Sequence, residues 1–238
     1  MRNGRRVGVV IPALNEEAAI GRVVDDIPGW VDCVVVADNG SRDRTSEIAQ
    51  AAGAVVVREP EPGYGAACLA GIAALPAVDI VVFMDGDYSD YGEDMGDLVD
   101  PIADGACDLV IGSRVLGVRE AGALTPQQQF GNWLATRLMG LIWGARYTDL
   151  GPCRAIQRAA LDRLAMADRN YGWTVEMQIK ATVCGLRARE VPARYRRRIG
   201  VSKVSGTIKG SVMAGYKILS IIARHALRPA RLSVSARD

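Results

Sequence analysis

The chain has 238 residues, 49% of them hydrophobic, and a net charge of +2. That length fits one large α/β domain with a sizeable core, and the near-neutral charge gives no case for a nucleic-acid partner. Five scattered cysteines without a Cys-x-x-Cys spacing argue against structural zinc or a disulfide framework, and a single histidine, His225, argues against a His-dependent triad, a haem or a His-ligated metal.

The basic N-terminus (Arg2, Arg5, Arg6) leads into an apolar run too short for a signal peptide. That run, Val7–Ile11, predicts a first strand. Asn15 predicts the N-cap of a helix reaching about Ile27, with Glu16 and Glu17 in its first turn. Val34–Val36 is a second strand ending at Asp38; Ser41 caps a helix to Ala52, closed by Gly53. A third strand at Val55–Val57, a helix over Tyr64–Leu75, a fourth strand at Ile80–Met84, a helix over Glu93–Ala103 and a fifth strand at Leu109–Ile111 complete a βαβα rhythm. Such a rhythm implies a mostly parallel sheet covered on both faces.

After Arg114 the rhythm breaks. Val115–Gln129 reads as a loop and Phe130–Gly144 as an apolar, aromatic-rich segment. Arg154–Gln157 is a short strand, Leu161–Ala165 and Val175–Val183 are helices, and Arg187–Tyr195, which contains Pro192, is an edge strand. Thr207–Ala226 is a final helix with Ile208, Val212, Tyr216, Leu219 and Ile222 on one face. No stretch approaches the roughly 18–20 apolar residues needed to span a bilayer, which predicts a cytoplasmic chain, soluble or peripherally attached.

The chemistry gathers at strand ends. Ile80–Phe83 leads directly to Asp85-Gly86-Asp87. Two carboxylates this close repel each other unless a cation lies between them, and hard divalent ions favour oxygen ligands shared with substrate phosphates. Open α/β sheets bind ligands at this edge. Pro12-Ala13-Leu14-Asn15-Glu16, Asp38-Asn39-Gly40-Ser41, Gly63-Tyr64-Gly65 and Gly112-Ser113-Arg114 follow the other strands. A dinucleotide fold needs Gly-x-Gly-x-x-Gly after its first strand, where this chain has Pro12-Ala13-Leu14-Asn15, and a P-loop is also missing. A basic cluster (Arg187, Arg189, Arg194, Arg196, Arg197, Arg198, Lys203) suits phosphates or an anionic membrane surface.

Residues 10–17 (Val-Ile-Pro-Ala-Leu-Asn-Glu-Glu), 37–45 (Ala-Asp-Asn-Gly-Ser-Arg-Asp-Arg-Thr), the Asp-Gly-Asp strand end and 111–114 (Ile-Gly-Ser-Arg) resemble the family-2 glycosyltransferases of the GT-A fold. The likeness covers about residues 7–205 and is greatest to the polyprenyl-phosphate sugar synthases. It implies an α/β GT-A fold, with a mostly parallel sheet flanked by helices, over a single catalytic domain 1–238. Residues 206–228 would form a C-terminal amphipathic helix. It implies Pro12, Ala13, Asn15 and Glu16 at the nucleoside, Asp38 at the base or ribose, and Gly65 and Gly86 along the donor. Asp85 and Asp87 would hold Mg²⁺ or Mn²⁺, with Asp87 counted as catalytic. Arg114 would face the phosphate or acceptor, and Arg198 and Lys203 would fold over the donor diphosphate.

The acceptor end is less determined. A hydroxyl acceptor needs a base, and Asp149 and Glu176 are the candidates; Arg154 is a natural partner for either acid. A phosphate acceptor needs mainly positioning. The polyprenyl-phosphate branch usually carries a serine and basic residues before the Asn matching Asn132, where this chain has Thr125-Pro126-Gln127-Gln128-Gln129. Ser89 also stands where a Gln metal-side contact is common. Phe130–Gly144 and the last helix suit an interfacial membrane contact, or packing on the domain or on a second subunit of a homo-oligomer. The expectation is a metal-dependent inverting transfer of a hexose from a UDP- or GDP-sugar to a polyprenyl phosphate at the cytoplasmic face of the cell membrane. The alternatives are the same transfer to a hydroxyl of a small molecule, lipid or glycan, and a nucleotide-sugar-binding protein without turnover.

Overall fold

In the computed structural model, residues 1–200 and 208–227 are described. The strands β1 (Val7–Ala13), β2 (Cys33–Asp38), β3 (Val55–Arg58), β4 (Ile80–Phe83), β5 (Leu109–Ser113), β6 (Arg154–Gln157) and β7 (Ala188–Pro192) make a seven-stranded sheet in the order β3-β2-β1-β4-β6-β5-β7. β6 is antiparallel to both its neighbours, β4 and β5. The other pairs are parallel.

All seven residues of β1 are buried, which is why its sequence is apolar throughout rather than alternating. The two-residue period still sorts its side chains. Val9, Ile11, Val36 and Val82 face α1 (Ile20–Asp25), α2 (Thr45–Ala51) and α4 (Met95–Ala103). Val10, Val35, Val81 and Phe83 face α3 (Tyr64–Ala74), α6 (Arg158–Leu164) and α7 (Trp173–Val183). A third cluster joins α5 (Pro126–Trp143) and α8 (Ile208–Leu227) to α7 through Ala135, Met139, Val175, Ile179, Ile221 and Ile222.

Register decides where the loops emerge. Ala13 is level with Asp38 and Val10 with Phe83. Phe83 is level with Arg154, which is level with Ile111. The chain therefore leaves β1, β2, β4 and β5, and enters β6, along one rim.

Four expectations are corrected. Asn15 does not cap a helix: it takes a left-handed φ of 52°, and α1 starts only at Ile20. Its amide hydrogen goes to Ser41 Oγ and its Oδ1 accepts from the Arg42 N–H, so the loops after β1 and β2 are interlocked. Ser41 serves that lock rather than capping α2, which starts at Thr45. α5 begins at Pro126, inside the expected loop, because Thr125 and Gln128 form a reciprocal capping box with Pro at the first helical position. In α8 the inward residues are Ile218, Ile221 and Ile222, while Tyr216 and Leu219 of the expected apolar face point outward.

Candidate active site

A cavity of about 260 Å³ opens at the rim. Asp85, Gly86 and Asp87 line its base, Pro12, Ala13, Leu14 and Glu16 one wall, and Asn39, Pro62, Gly63, Tyr64 and Ala67 another; Asn170, Tyr171 and Arg198 complete it. Asn39 holds the second wall in shape. Its Nδ2 donates to the carbonyls of Glu59 and Glu61 and its Oδ1 accepts from the Gly63 N–H. Asn170 and Tyr171 arrive from the turn before α7 because α3 starts hard against it. A Cβ on Gly63 or Gly65 would lie 2.0 Å from the carbonyl oxygens of Arg169 and Asp168 respectively. Only glycine allows that approach. Asp168 caps the same turn, accepting from the N–H groups of Asn170 and Gly172, and pairs with Lys217 of α8 at 3.5 Å.

The acids at the base are tightly held. Asp87 Oδ1 accepts from the Ser89 N–H and Oγ, and its Oδ2 lies 3.1 Å from Arg198. Asp85 Oδ1 accepts from the Tyr64 hydroxyl, and Asp90, buried behind them, accepts from the Asp85 N–H. Burial and the Asp87 charge push the Asp85 carboxyl up to about 6. Burial, then the charges of Asp85 and Asp87, raises Asp90 well above the usual range. Partial burial and mutual repulsion of this kind favour a cation of high charge density beside Asp85 and Asp87. Among the described residues no three His, Cys, Asp or Glu side chains converge as a cage. Two carboxylates at a cavity base suit a hard divalent ion that keeps coordination positions for phosphate and water.

Arg198 is placed by its neighbours. The Ile199 N–H donates to the Asp87 carbonyl and the Arg196 N–H to that of Ser89. Arg196 lies 3.3 Å over the Tyr88 ring and also pairs with Asp26. So secured, Arg198 bridges Glu16 Oε1 at 2.9 Å and Asp87. Its Nε is buried and finds no partner among the described residues.

Several predicted residues take other roles. Asp38 is turned into its own loop, accepting from the Ser41 N–H and the Ser46 hydroxyl, and does not line the cavity. Asn15 and Gly65 shape it from behind. Glu176 is no free base. It lies 2.8 Å from Lys180 and accepts from the N–H groups of Ala167 and Asp168, so it orders the turn that carries Asn170 and Tyr171. Asp149 is no free base either. It forms a two-pronged pair with the Arg114 guanidinium, at 2.8 and 2.7 Å, and accepts from the Arg114 N–H. Burial alone raises the Asp149 carboxyl, but the Arg114 bonds and charge outweigh that and hold it below the usual range. Arg154 partners neither acid; it donates to the carbonyls of Leu150, Gly151 and Thr174. The basic cluster is mostly neutralised as well. Arg187 pairs with Asp108 and Arg194 with Glu93 and Asp94. Lys203 lies outside the described residues.

Sequence reasoning placed Asn39 and Tyr64 inside strand-end motifs without giving either a role, and missed Asp90, which follows the Asp-Gly-Asp turn. It missed Asn170 and Tyr171 because nothing in their local sequence marks them. A second cavity of about 700 Å³ begins beside the Arg114–Asp149 pair, at Val115 and Thr148, and runs under α5. Leu124, Trp133, Leu141 and Tyr147 line it, with Arg119 and Arg137. Asn132 and Glu190 fix its inner edge by hydrogen bonds to residues 148–150, and Ser113 Oγ meets Thr148 Oγ1 at 2.7 Å.

The model of glycosyl transferase family 2 matches residues 8–165. An uncharacterized glycosyltransferase of Mycobacterium tuberculosis is 37% identical over 92% of this chain and 99% of its own length. A dolichyl-phosphate hexose transferase of Haloferax volcanii is 33% identical, over 93% and 96%. An undecaprenyl-phosphate mannosyltransferase of Micrococcus luteus is 30% identical, over 96% and 100%. Among solved structures, glucosyl-3-phosphoglycerate synthase from M. tuberculosis, in complex with Mn²⁺, UDP and glucosyl-3-phosphoglycerate, superposes with a TM-score of 0.76. It is 25% identical, and the match covers 96% of this chain and 82% of that one.

Proposed function

The chain belongs to glycosyl transferase family 2 and has the GT-A fold, and we propose that it transfers a hexose, with inversion, from a UDP- or GDP-sugar to a polyprenyl phosphate. The observation that carries this reading is the pair Asp85 and Asp87 at the base of the rim cavity walled by Arg198. Pro12, Ala13, Leu14 and Asn39 offer the nucleoside an apolar and amide surface. Asp85 and Asp87 would hold Mg²⁺ or Mn²⁺, which neutralises charge on the departing diphosphate. Arg198 adds its guanidinium to the same oxygens. The bond from the anomeric carbon to the donor diphosphate breaks and one from that carbon to the acceptor oxygen forms.

A phosphate acceptor is already an anion and needs no base. That agrees with a site whose two candidate bases, Asp149 and Glu176, are both neutralised by cations. The larger cavity, apolar with two arginines and no lining carboxylate, suits a phosphate attached to a hydrocarbon chain. With labelled UDP- and GDP-hexoses and a short polyprenyl phosphate, the expected product is an organic-extractable, acid-labile sugar phosphate lipid. Label transferred instead to a water-soluble phosphorylated hydroxy acid would move the acceptor to the hydroxyl class.

The acceptor implies a membrane surface, and we place the enzyme peripherally on the cytoplasmic face. No described helix is long and apolar enough to cross a bilayer. Phe130, Trp133 and Leu141 on α5 are 62%, 53% and 83% exposed, and Tyr216 and Leu227 on α8 are 69% and 83% exposed. α5 and α8 pack together, so both helices can lie in one interface. Phe130→Ser with Trp133→Ser is expected to weaken flotation with anionic liposomes by about tenfold or more. Unchanged flotation would remove α5 from the contact.

A further inference from the structure

We propose that Arg198 competes with the divalent metal for Asp87, so that metal enters the site together with the nucleotide diphosphate rather than before it. This rests on the donor reading above and adds an order of binding to it. Among the described residues, Arg198 is a cation that the fold itself pairs with Asp87 of the Asp-Gly-Asp turn. One guanidinium nitrogen lies 3.1 Å from Asp87 Oδ2 and the other 2.9 Å from Glu16 Oε1. The position is not adventitious, because the chain on either side of Arg198 is hydrogen-bonded to the same turn, through Ile199 to Asp87 and Arg196 to Ser89.

A divalent ion that takes Asp87 Oδ2 places two positive charges beside a guanidinium sharing that oxygen. Metal alone must therefore displace Arg198 and receives nothing in return. A diphosphate changes the balance. Its oxygens give the displaced guanidinium new anionic acceptors, including one for the buried Nε that has no partner among the described residues. Charge-assisted bonds of this kind replace the lost ion pair. Because coupling between two ligands is reciprocal, nucleotide tightens metal and metal tightens nucleotide by the same factor, and Arg198 sets much of that factor.

The test is Mn²⁺ binding, read from the free-ion signal in electron paramagnetic resonance, with and without UDP or GDP, in the full-length wild type, Arg198→Gln, Arg198→Lys and Asp87→Asn proteins. Arg198→Gln is expected to bind Mn²⁺ alone about tenfold tighter than wild type. With nucleotide present it should lose most of the coupling, by about tenfold or more. Arg198→Lys keeps the charge and should stay near wild type for Mn²⁺ alone. Equal Mn²⁺ affinity in wild type and Arg198→Gln, with Asp87→Asn binding none, overturns the competition while leaving the metal site intact. Absence of Mn²⁺ binding in wild type even with both nucleotides overturns the competition and the donor reading together.

Discussion

Asp87→Asn is expected to lower hexose transfer by at least about 10³-fold and to abolish metal-dependent nucleotide binding. The asparagine keeps the shape and can still accept from Ser89, so the turn at residues 87–90 survives. What disappears is one of two negative charges at the base of the cavity. The same change relieves repulsion on Asp85 and Asp90, whose carboxyls are raised partly by Asp87. Thermal stability without metal should therefore hold or rise while activity collapses. A variant that retains turnover with a normal melting profile would remove these acids from the mechanism.

The acids also set the response to pH. Asp85 is pushed up from the usual range to about 6, so the folded chain binds a proton there more tightly than the unfolded chain does. The stability this contributes is present at low pH and lost as pH rises through about 6. Metal competes with the same proton. Mn²⁺-dependent UDP or GDP binding, followed by calorimetry, should thus weaken as pH falls through about 6, the range in which the metal-free chain gains stability.

The second large effect is expected at Asp149. Its side chain is 1% exposed and that of Arg114 is 13% exposed, and the two form a bidentate pair. Removing one partner of such a pair leaves a buried charge uncompensated, which costs about 3–5 kcal/mol. For a chain of this size that is a fall in melting temperature of about 6–20 °C. Asp149→Ala should show this fall by calorimetry, and Arg114→Lys a smaller one, since lysine cannot reproduce the two-pronged geometry. An Asp149→Asn variant with unchanged stability and no transfer would instead make Asp149 the base of a hydroxyl-directed reaction.

The mostly parallel core and the rim that carries the candidate site were legible because each depends on local pattern. Apolar runs of strand length ended at Asp38, Asp85 and Ser113; parallel pairing brought the first two ends together, and antiparallel β6, between β4 and β5, brought Ser113 to the same rim. Glu176 shows where local reading stopped short. Its partner is Lys180, one helical turn away, and the i,i+4 spacing was available in the sequence, yet Arg154 looked equally suitable. The start of α5 was similar, since Thr125-Pro126-Gln127-Gln128 carries the capping signal within a stretch whose glycines suggested a loop. Asn170 and Tyr171 had no such signal. Their place depends on the close approach of two backbones at Gly63 and Gly65. α8 misled for a different reason: it carries apolar residues around most of its circumference, so periodicity alone could not say which side packs on α5 and α7.

The excursion from β5 leaves the sheet at Ser113 and re-enters it at Arg154 of β6, and on the way back the Thr148 hydroxyl meets that of Ser113. A segment whose ends already meet can grow, shrink or be exchanged at little entropic expense, because closure cost rises only slowly with length. The pairing of β1 with β2 and of β2 with β3 does not register such an exchange. Sequence change can therefore remodel the α5 cavity by editing one self-closing insert, while the pairing of β1, β2 and β3 stays as it is.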